Sequence, residues 1–140
     1  MLVKEPLLQS DWTIYRGGAI LLDETENVHI SNCNFFEVGG NAVFVSNYNK
    51  NALISNNHNY NIGGNAIAFV GNPAAVRSPA FQYALFVPWK EMDYASGPKS
   101  DNYPQYYAAT GNLIHDIDTI EKQITGVEIK IFIVLQIFIN

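Results

Sequence analysis

The sequence predicts an all-β chain wound as a right-handed parallel β-helix, and three observations predict it. A short phrase returns three times, as Gly17-Gly18-Ala19-Ile20-Leu21-Leu22, Gly39-Gly40-Asn41-Ala42-Val43-Phe44-Val45 and Gly63-Gly64-Asn65-Ala66-Ile67-Ala68-Phe69-Val70. The spacing is regular, 23 residues from Ala19 to Ala42 and 24 from Ala42 to Ala66. Between the copies, short apolar runs alternate with Gly/Asn turns, and Val28-His29-Ile30-Ser31-Asn32 is answered by Ala52-Leu53-Ile54-Ser55-Asn56. A repeat of this length, made of short strands and turns, is the signature of a solenoid in which each coil buries its apolar face against the next.

The coils are predicted over 17–70 and again over 111–129. In the first coil, Ile20 and Leu22 point to one side of a strand, as alternation along a strand requires. Asp23-Glu24-Thr25-Glu26-Asn27 is then a polar turn, Val28 and Ile30 face inward with His29 outward, and Phe35 and Val38 precede the Gly39-Gly40 turn. In the second coil Val43 and Val45 take the places of Ile20 and Leu22, Ala52 and Ile54 those of Val28 and Ile30, and Ile62 that of Val38. Ile67 and Phe69 open the third. Asn32 and Asn56, one coil apart, are expected to hydrogen-bond up the stack as an amide ladder. Leu21, Phe44 and Ala68, on the opposite phase, are also apolar, and a sheet apolar on both faces is covered on both.

The rhythm breaks at Gly71-Asn72-Pro73, and an insertion is predicted over 71–110, with the pattern resuming near Gly111-Asn112-Leu113-Ile114. Loops of this length are uncommon in compact domains and are usually functional or disordered. Trp89, Tyr83, Tyr94, Tyr103, Tyr106 and Tyr107 make this one too aromatic for a disordered linker, so a wall or lid is expected. Gly126-Val127-Glu128-Ile129 reads as one more glycine-led strand. The 130–140 tail is apolar, lacks Gly/Asn punctuation and is too short for a bilayer span, which takes about 20 apolar residues. It is read as an aberrant end of a single partial domain covering 1–140, and exposed solenoid ends of this kind favour self-association.

Composition excludes several function classes. With 140 residues, a net charge of −5 and 15% charged residues, the chain has no basic patch for nucleic acid. One cysteine, Cys33, rules out an intrachain disulfide and a Cys-rich zinc site, and it is expected at a turn or core position. His29, His58 and His115 are read at separate corners of the repeat, so no metal site is expected from them, and no Asp-rich cluster for calcium is visible. No cofactor is implied. Met1-Leu2-Val3-Lys4 runs directly into Glu5-Pro6 without an apolar stretch, so no signal peptide is read and localisation stays open, with a missing natural beginning favoured.

Sites are grafted on such scaffolds, and three groups of residues are candidates. In Gly97-Pro98-Lys99-Ser100-Asp101-Asn102-Tyr103-Pro104, a carboxylate is held stiffly between an amide, a phenol and prolines, as a sugar contact or catalytic acid needs. The competing reading is a turn in which Asp101 caps its own backbone. Glu121-Lys122-Gln123 offers a second carboxylate whose ionisation the adjacent ammonium favours, or else a solvated turn. Arg77 suits bidentate grip of a carboxylate or hydroxyl, or else anchors a loop. Asp23 and Glu26 are read as solvated charges.

The run Gly39-Gly40-Asn41-Ala42, the segment from Gly63-Gly64-Asn65-Ala66 through Gly71-Asn72-Pro73 to Arg77-Ser78-Pro79, and Gly97–Pro104, with Ile117 through Glu121-Lys122-Gln123 to Gly126-Val127-Glu128-Ile129, resemble β-helix proteins of polysaccharide-degrading bacteria, the insertion phrases being the specific part. Glycoside hydrolase family 141 is the family they resemble, over about 17–129. The resemblance implies a secreted, extracellular or periplasmic enzyme acting on plant or microbial polysaccharide, of which this chain would be a fragment that does not act alone. Asp118 stands where a coil-turn glycine is expected, and after Ile129 the repeat dissolves. On this reading Asp101 and Glu121 are the catalytic carboxylates, Arg77, Tyr103, Lys122 and Gln123 position the sugar, and Trp89 or one of the insertion tyrosines stacks on it. The alternatives are a polysaccharide lyase of the same architecture, which would need a basic residue and usually calcium, and a non-catalytic carbohydrate-binding or structural solenoid.

Overall fold

The computed structural model describes residues 15–78, 87–120 and 125–130. Among them the chain is all-β apart from two one-turn 3-10 segments at Pro73–Ala75 and Trp89–Glu91. A first pass makes β1 (Gly18–Glu26), β2 (His29–Ser31) and β3 (Asn34–Val38), and a second makes β4 (Asn41–Lys50), β5 (Leu53–Ser55) and β6 (His58–Ile62). The third is β7 (Ile67–Val70), β8 (Pro104–Gln105), β9 (Ala108–Thr110) and β10 (Leu113–His115), and β11 (Val127–Lys130) opens a fourth. Every strand pairs in parallel with its counterpart one pass away, forming three sheets: β1-β4-β7-β11 with β8 also on β4, β2-β5-β9, and β3-β6-β10. This arrangement is compatible with a β-solenoid. The repeat positions stack as the sequence phrases align, with Ile20 on Val43 on Ile67, Ile30 on Ile54, and Val38 on Ile62.

Inward positions form one core of Leu22, Ile30, Val43, Val45, Ile54, Ala66, Ile67 and Phe69, against which Ile20, Val28, Cys33, Phe35 and Ile114 pack. Passes turn at residues in the left-handed region, and these stack in columns: Asn27, Asn51 and Tyr106; Asn32, Asn56 and Gly111; Glu37, Asn61 and Asp116. Within each pass the three corners lie five residues apart. Asn suits them because its short side chain tolerates that conformation at little cost. Asp118, read as an anomaly in a glycine's place, also takes a positive φ of 63°.

The amide ladder lies one residue beyond the expected Asn32–Asn56 column, whose residues serve as backbone corners. Asn57 accepts from the Cys33 N–H at 2.9 Å and donates to the Ile30 carbonyl at 3.1 Å and to Asn112 Oδ1 at 3.0 Å. A second ladder joins Asn41 and Asn65 beneath the glycine pairs, with Asn65 Nδ2 donating to Asn41 Oδ1 at 3.1 Å. These amides sit inside the corners, where they satisfy backbone groups that the turning chain leaves unpaired.

Phe44, Ala68 and Val70 form a second buried cluster on the other face of the β4–β7 pair. The Arg16 guanidinium lies 5.8 Å from the Phe44 ring centre and donates to Ser46 Oγ and the Val70 carbonyl. Their stack partner Leu21 stays 52% exposed, so the outer apolar face is covered over the second and third passes but not over the first.

The insertion is shorter than the sequence suggests. The chain leaves the sheet after Val70 and rejoins it at Pro104, which pairs with Asn49 in the same column, and Ala108–Thr110 pairs with β5 before the expected resumption at Gly111. A Pro N-terminal to a two-residue strand has little apolar signature to read, although proline is admissible at the first residue of a strand. Trp12-Thr13-Ile14, Tyr83 and residues 131–140 lie outside the described residues, and with them the tail and its self-association. Among the described residues no helix is long and apolar enough to cross a membrane.

Candidate functional site

A β-bulge builds the site. Between Asp23 and Thr25 the β1–β4 register shifts, so that Asn47 and Tyr48 together oppose Glu24. Buried Asn49 fixes the irregularity: its Oδ1 accepts from Thr25 Oγ1 at 2.6 Å and its Nδ2 donates to the Ser46 and Leu22 carbonyls. Glu24 and Asn47 both adopt positive φ. Bulges re-aim side chains, and this one turns Tyr48 toward Glu26, whose Oε1 accepts a hydrogen bond from the phenol. The Tyr48 N–H, displaced from the ladder, donates instead to Asn102 Oδ1 at 2.8 Å.

That bond brings the end of the insertion against the bulge. Glu24, Glu26, Tyr48, Ser100, Asp101 and Asn102 line an open groove of about 600 Å³. The Asp101 carbonyl accepts from the Tyr103 N–H at 2.8 Å and from Gln105 Nε2 at 3.2 Å, while the Asn72 N–H donates to the Asn102 carbonyl at 2.9 Å and closes the insertion at its base. Three carboxylates from two distant stretches of chain therefore share one groove with a phenol. The hydrogen bond to Glu26 is the main reason the Tyr48 hydroxyl is pushed above its ordinary pKa, with burial and the charges of Glu26 and Asp101 adding to it. Burial, then Asp101 and Tyr106, push the Tyr103 hydroxyl up in the same direction. Both phenols therefore remain proton donors across the neutral range. The groove can hold a polyhydroxyl or cationic ligand, and its carboxyl groups can give and take protons.

Of the residues selected from sequence, Asp101 lines the groove and Tyr103 stands beside it. Arg77 does not reach it. Its Nε donates to the Gly97 carbonyl at 2.9 Å, its Nη2 to the Pro98 carbonyl at 3.1 Å, and its Nη1 pairs with Asp93. It therefore ties the two ends of the insertion's far part together. Asp93 is held below the usual carboxylate range, first by the Ala95 N–H and next by Arg77. Trp89 is 70% exposed and its carbonyl accepts from the Tyr94 hydroxyl, itself on a ring 68% exposed, which gives the insertion an open aromatic surface with Met92. Glu121, Lys122 and Gln123 lie outside the described residues.

Sequence alone does not single out Glu24, Glu26 or Tyr48, and it presents Glu26 as a solvated charge. The only sequence signal was the extra residue between Ser46 and Asn49 relative to Asp23 and Thr25. The histidines need a second correction: His58 and His115 do not lie at separate corners but meet, Nε2 to Nε2, at 2.8 Å. Register explains this, because β10 stacks directly on β6. No protein-family model, no curated protein and no solved structure matches this chain.

Proposed function

We propose that the chain is part of a carbohydrate-active right-handed parallel β-helix, a glycoside hydrolase-like protein whose substrate groove is the one bounded by Glu24, Glu26, Tyr48 and Asp101. The right hand follows from the rule that connections between parallel strands of one sheet are right-handed in roughly 98% of cases. The observation that carries the reading is the meeting of Asp101, from the insertion, with Glu26 and its phenol partner on the scaffold. Glycosidic cleavage needs two carboxyl groups flanking the bond, one to protonate the leaving oxygen and one to act as base or nucleophile. Glu26, oriented by the Tyr48 hydroxyl, suits the second role, and Asp101, brought to the same groove by the insertion, the first. The resemblance to glycoside hydrolase family 141 supports the same class of substrate, plant or microbial polysaccharide, and an extracellular or periplasmic setting.

Reducing-end release from a panel of polysaccharides tests the proposal. Asp101→Asn and Glu26→Gln are each expected to lower the rate at least about 100-fold, the scale of general acid–base catalysis, while Glu91→Gln leaves it unchanged. Retained activity in both groove variants would sink the assignment. An unsaturated product would move the protein to the lyase class. The exposed Trp89 and Tyr94 rings favour a second reading, a non-catalytic glycan-binding solenoid. Glycan affinity that survives both groove variants and falls with Trp89→Ala would establish that one instead.

A further inference from the structure

On the outward face of the β3-β6-β10 sheet, register stacks Phe36, Tyr60 and His115 in one column and Asn34, His58 and Leu113 in the next. The rings of Phe36 and Tyr60 lie 5.5 Å apart at 9°, and those of Tyr60 and His115 5.6 Å apart at 8°. His58 leans against both, 4.6 Å from Tyr60 and 5.0 Å from His115. The two Nε2 atoms approach to 2.8 Å, and Asp116 Oδ2 sits 2.8 Å from His115 Nδ1.

We propose that His58 and His115 form a binding site for a divalent transition-metal ion, with Asp116 as the carboxylate that orients His115. A carboxylate accepts, so the neutral His115 ring carries its proton on Nδ1, which leaves Nε2 with its lone pair directed at His58. Such carboxylate–imidazole pairs fix the tautomer and ring orientation of metal-ligating histidines. His58 then supplies the single proton of the Nε2–Nε2 contact. Moving that proton to Nδ1 through solvent turns the second Nε2 into a ligand without net proton release.

Metal–nitrogen bonds of about 2.0–2.1 Å at a tetrahedral angle place two ligand nitrogens about 3.3 Å apart, so the nitrogens must part by about half an ångström and each ring must turn until its lone pair faces the ion instead of the other nitrogen. The aromatic stack confines His115, and the left-handed φ of 49° at Asp116 sets its carboxylate beside it. Among the described residues no group of three or more His, Cys, Asp or Glu side chains could hold a metal, so two imidazoles bind the ion and water completes its shell. Imidazole donors suit copper, nickel and zinc, with copper the tightest of the divalent series. The site is independent of the groove.

The test is calorimetric titration of the untagged full chain with Cu2+ and with Zn2+, alongside electron paramagnetic resonance of the copper form. One ion is expected per chain, bound more tightly as Cu2+ than as Zn2+, with nitrogen hyperfine structure from two imidazoles and no response to Mg2+ or Ca2+. His58→Ala and His115→Ala should each weaken Cu2+ at least about 100-fold, and Asp116→Asn about 10- to 100-fold, the usual effect of losing an outer-shell partner. His29→Ala and Cys33→Ser should bind as the parent does. Circular dichroism confirms that each variant is folded. Cu2+ binding within threefold of the parent in both His58→Ala and His115→Ala would overturn the proposal, as would loss of binding in Cys33→Ser alone.

Discussion

Asn59 gives the most exposed prediction, because replacing a native core residue there should stabilise the protein. It is fully buried on β6, stacked between Phe35 and Ile114, and neither its Nδ2 nor its Oδ1 has a protein hydrogen-bond partner. Burying an amide without compensation costs about 1–3 kcal/mol by mutational measures. Placing a leucine side chain in the same apolar layer contributes about 1.5–3 kcal/mol. Leucine is bulkier, and overpacking takes back about 1–3 kcal/mol. The expected net gain for Asn59→Leu is about 2 kcal/mol, or a rise in Tm of roughly 4–10 °C for a chain of this size. Asn59→Ala, which removes the amide without overpacking, should be close to neutral, whereas Ile54→Ala, at an equally buried core position, should cost about 2–5 kcal/mol. Urea denaturation followed by far-UV circular dichroism measures all three. A loss of more than 1 kcal/mol in both Asn59 variants, against the ordinary scale of about 1 kcal/mol for a hydrogen bond, would mean that the amide is satisfied in the folded chain and the reasoning fails.

Four other outcomes follow from the same geometry. Asn57→Ala leaves the Cys33 N–H and the Ile30 carbonyl without their ladder partner and should destabilise by about 2–4 kcal/mol in the same urea assay. Gly39 and Gly63 occupy equivalent turns, yet a Cβ at Gly39 meets nothing within 4 Å while one at Gly63 falls 2.5 Å from the Gly39 carbonyl oxygen. Gly39→Ala should therefore be tolerated and Gly63→Ala should destabilise by about 2 kcal/mol or more, within the range of overpacking. Arg77→Ala should leave global stability nearly unchanged but speed amide exchange around 97–98, read by mass spectrometry. The Asp93 carboxyl is depressed in the fold, so its tie is complete above the ordinary value near 3.8 and is lost as pH falls through the lower folded value. The protection factor at 93–97, taken against the intrinsic exchange rate at each pH, should therefore fall on acidification, and Asp93→Asn should remove that dependence.

The repeat was readable because each level of the stack uses the same kind of residue at the same distance. Ile20, Val43 and Ile67 announce their register, and once one column is placed the others follow. The re-entry at Pro104 was not readable, since a strand of two residues held by its neighbour's backbone needs no apolar pattern of its own. Corner residues were visible as Asn but not their five-residue spacing, which Asn51, Asn56 and Asn61 display. The groove was half legible. Asp101 stood out within its stiff turn, but Glu26 and Tyr48 become neighbours only through a bulge, and a bulge depends on one strand having one residue more than its partner. His58 and His115 were hidden by the insertion between them, because proximity in stacked coils is set by register and not by separation along the chain.

The mid-sheet departure at Val70 and return at Pro104 also make the scaffold modular. The two ends of the excursion are fastened to each other by the Asn72–Asn102 backbone bond and to the β4 column on either side. What lies between them does not set the register of any coil. Doubling the length of a flexible loop costs only about 0.6 kcal/mol in closure entropy. The same coils can therefore carry excursions of very different length and chemistry from this one port, and exchanging the 73–101 segment would change what meets Glu26 and Tyr48 while leaving the stack beneath them as it is.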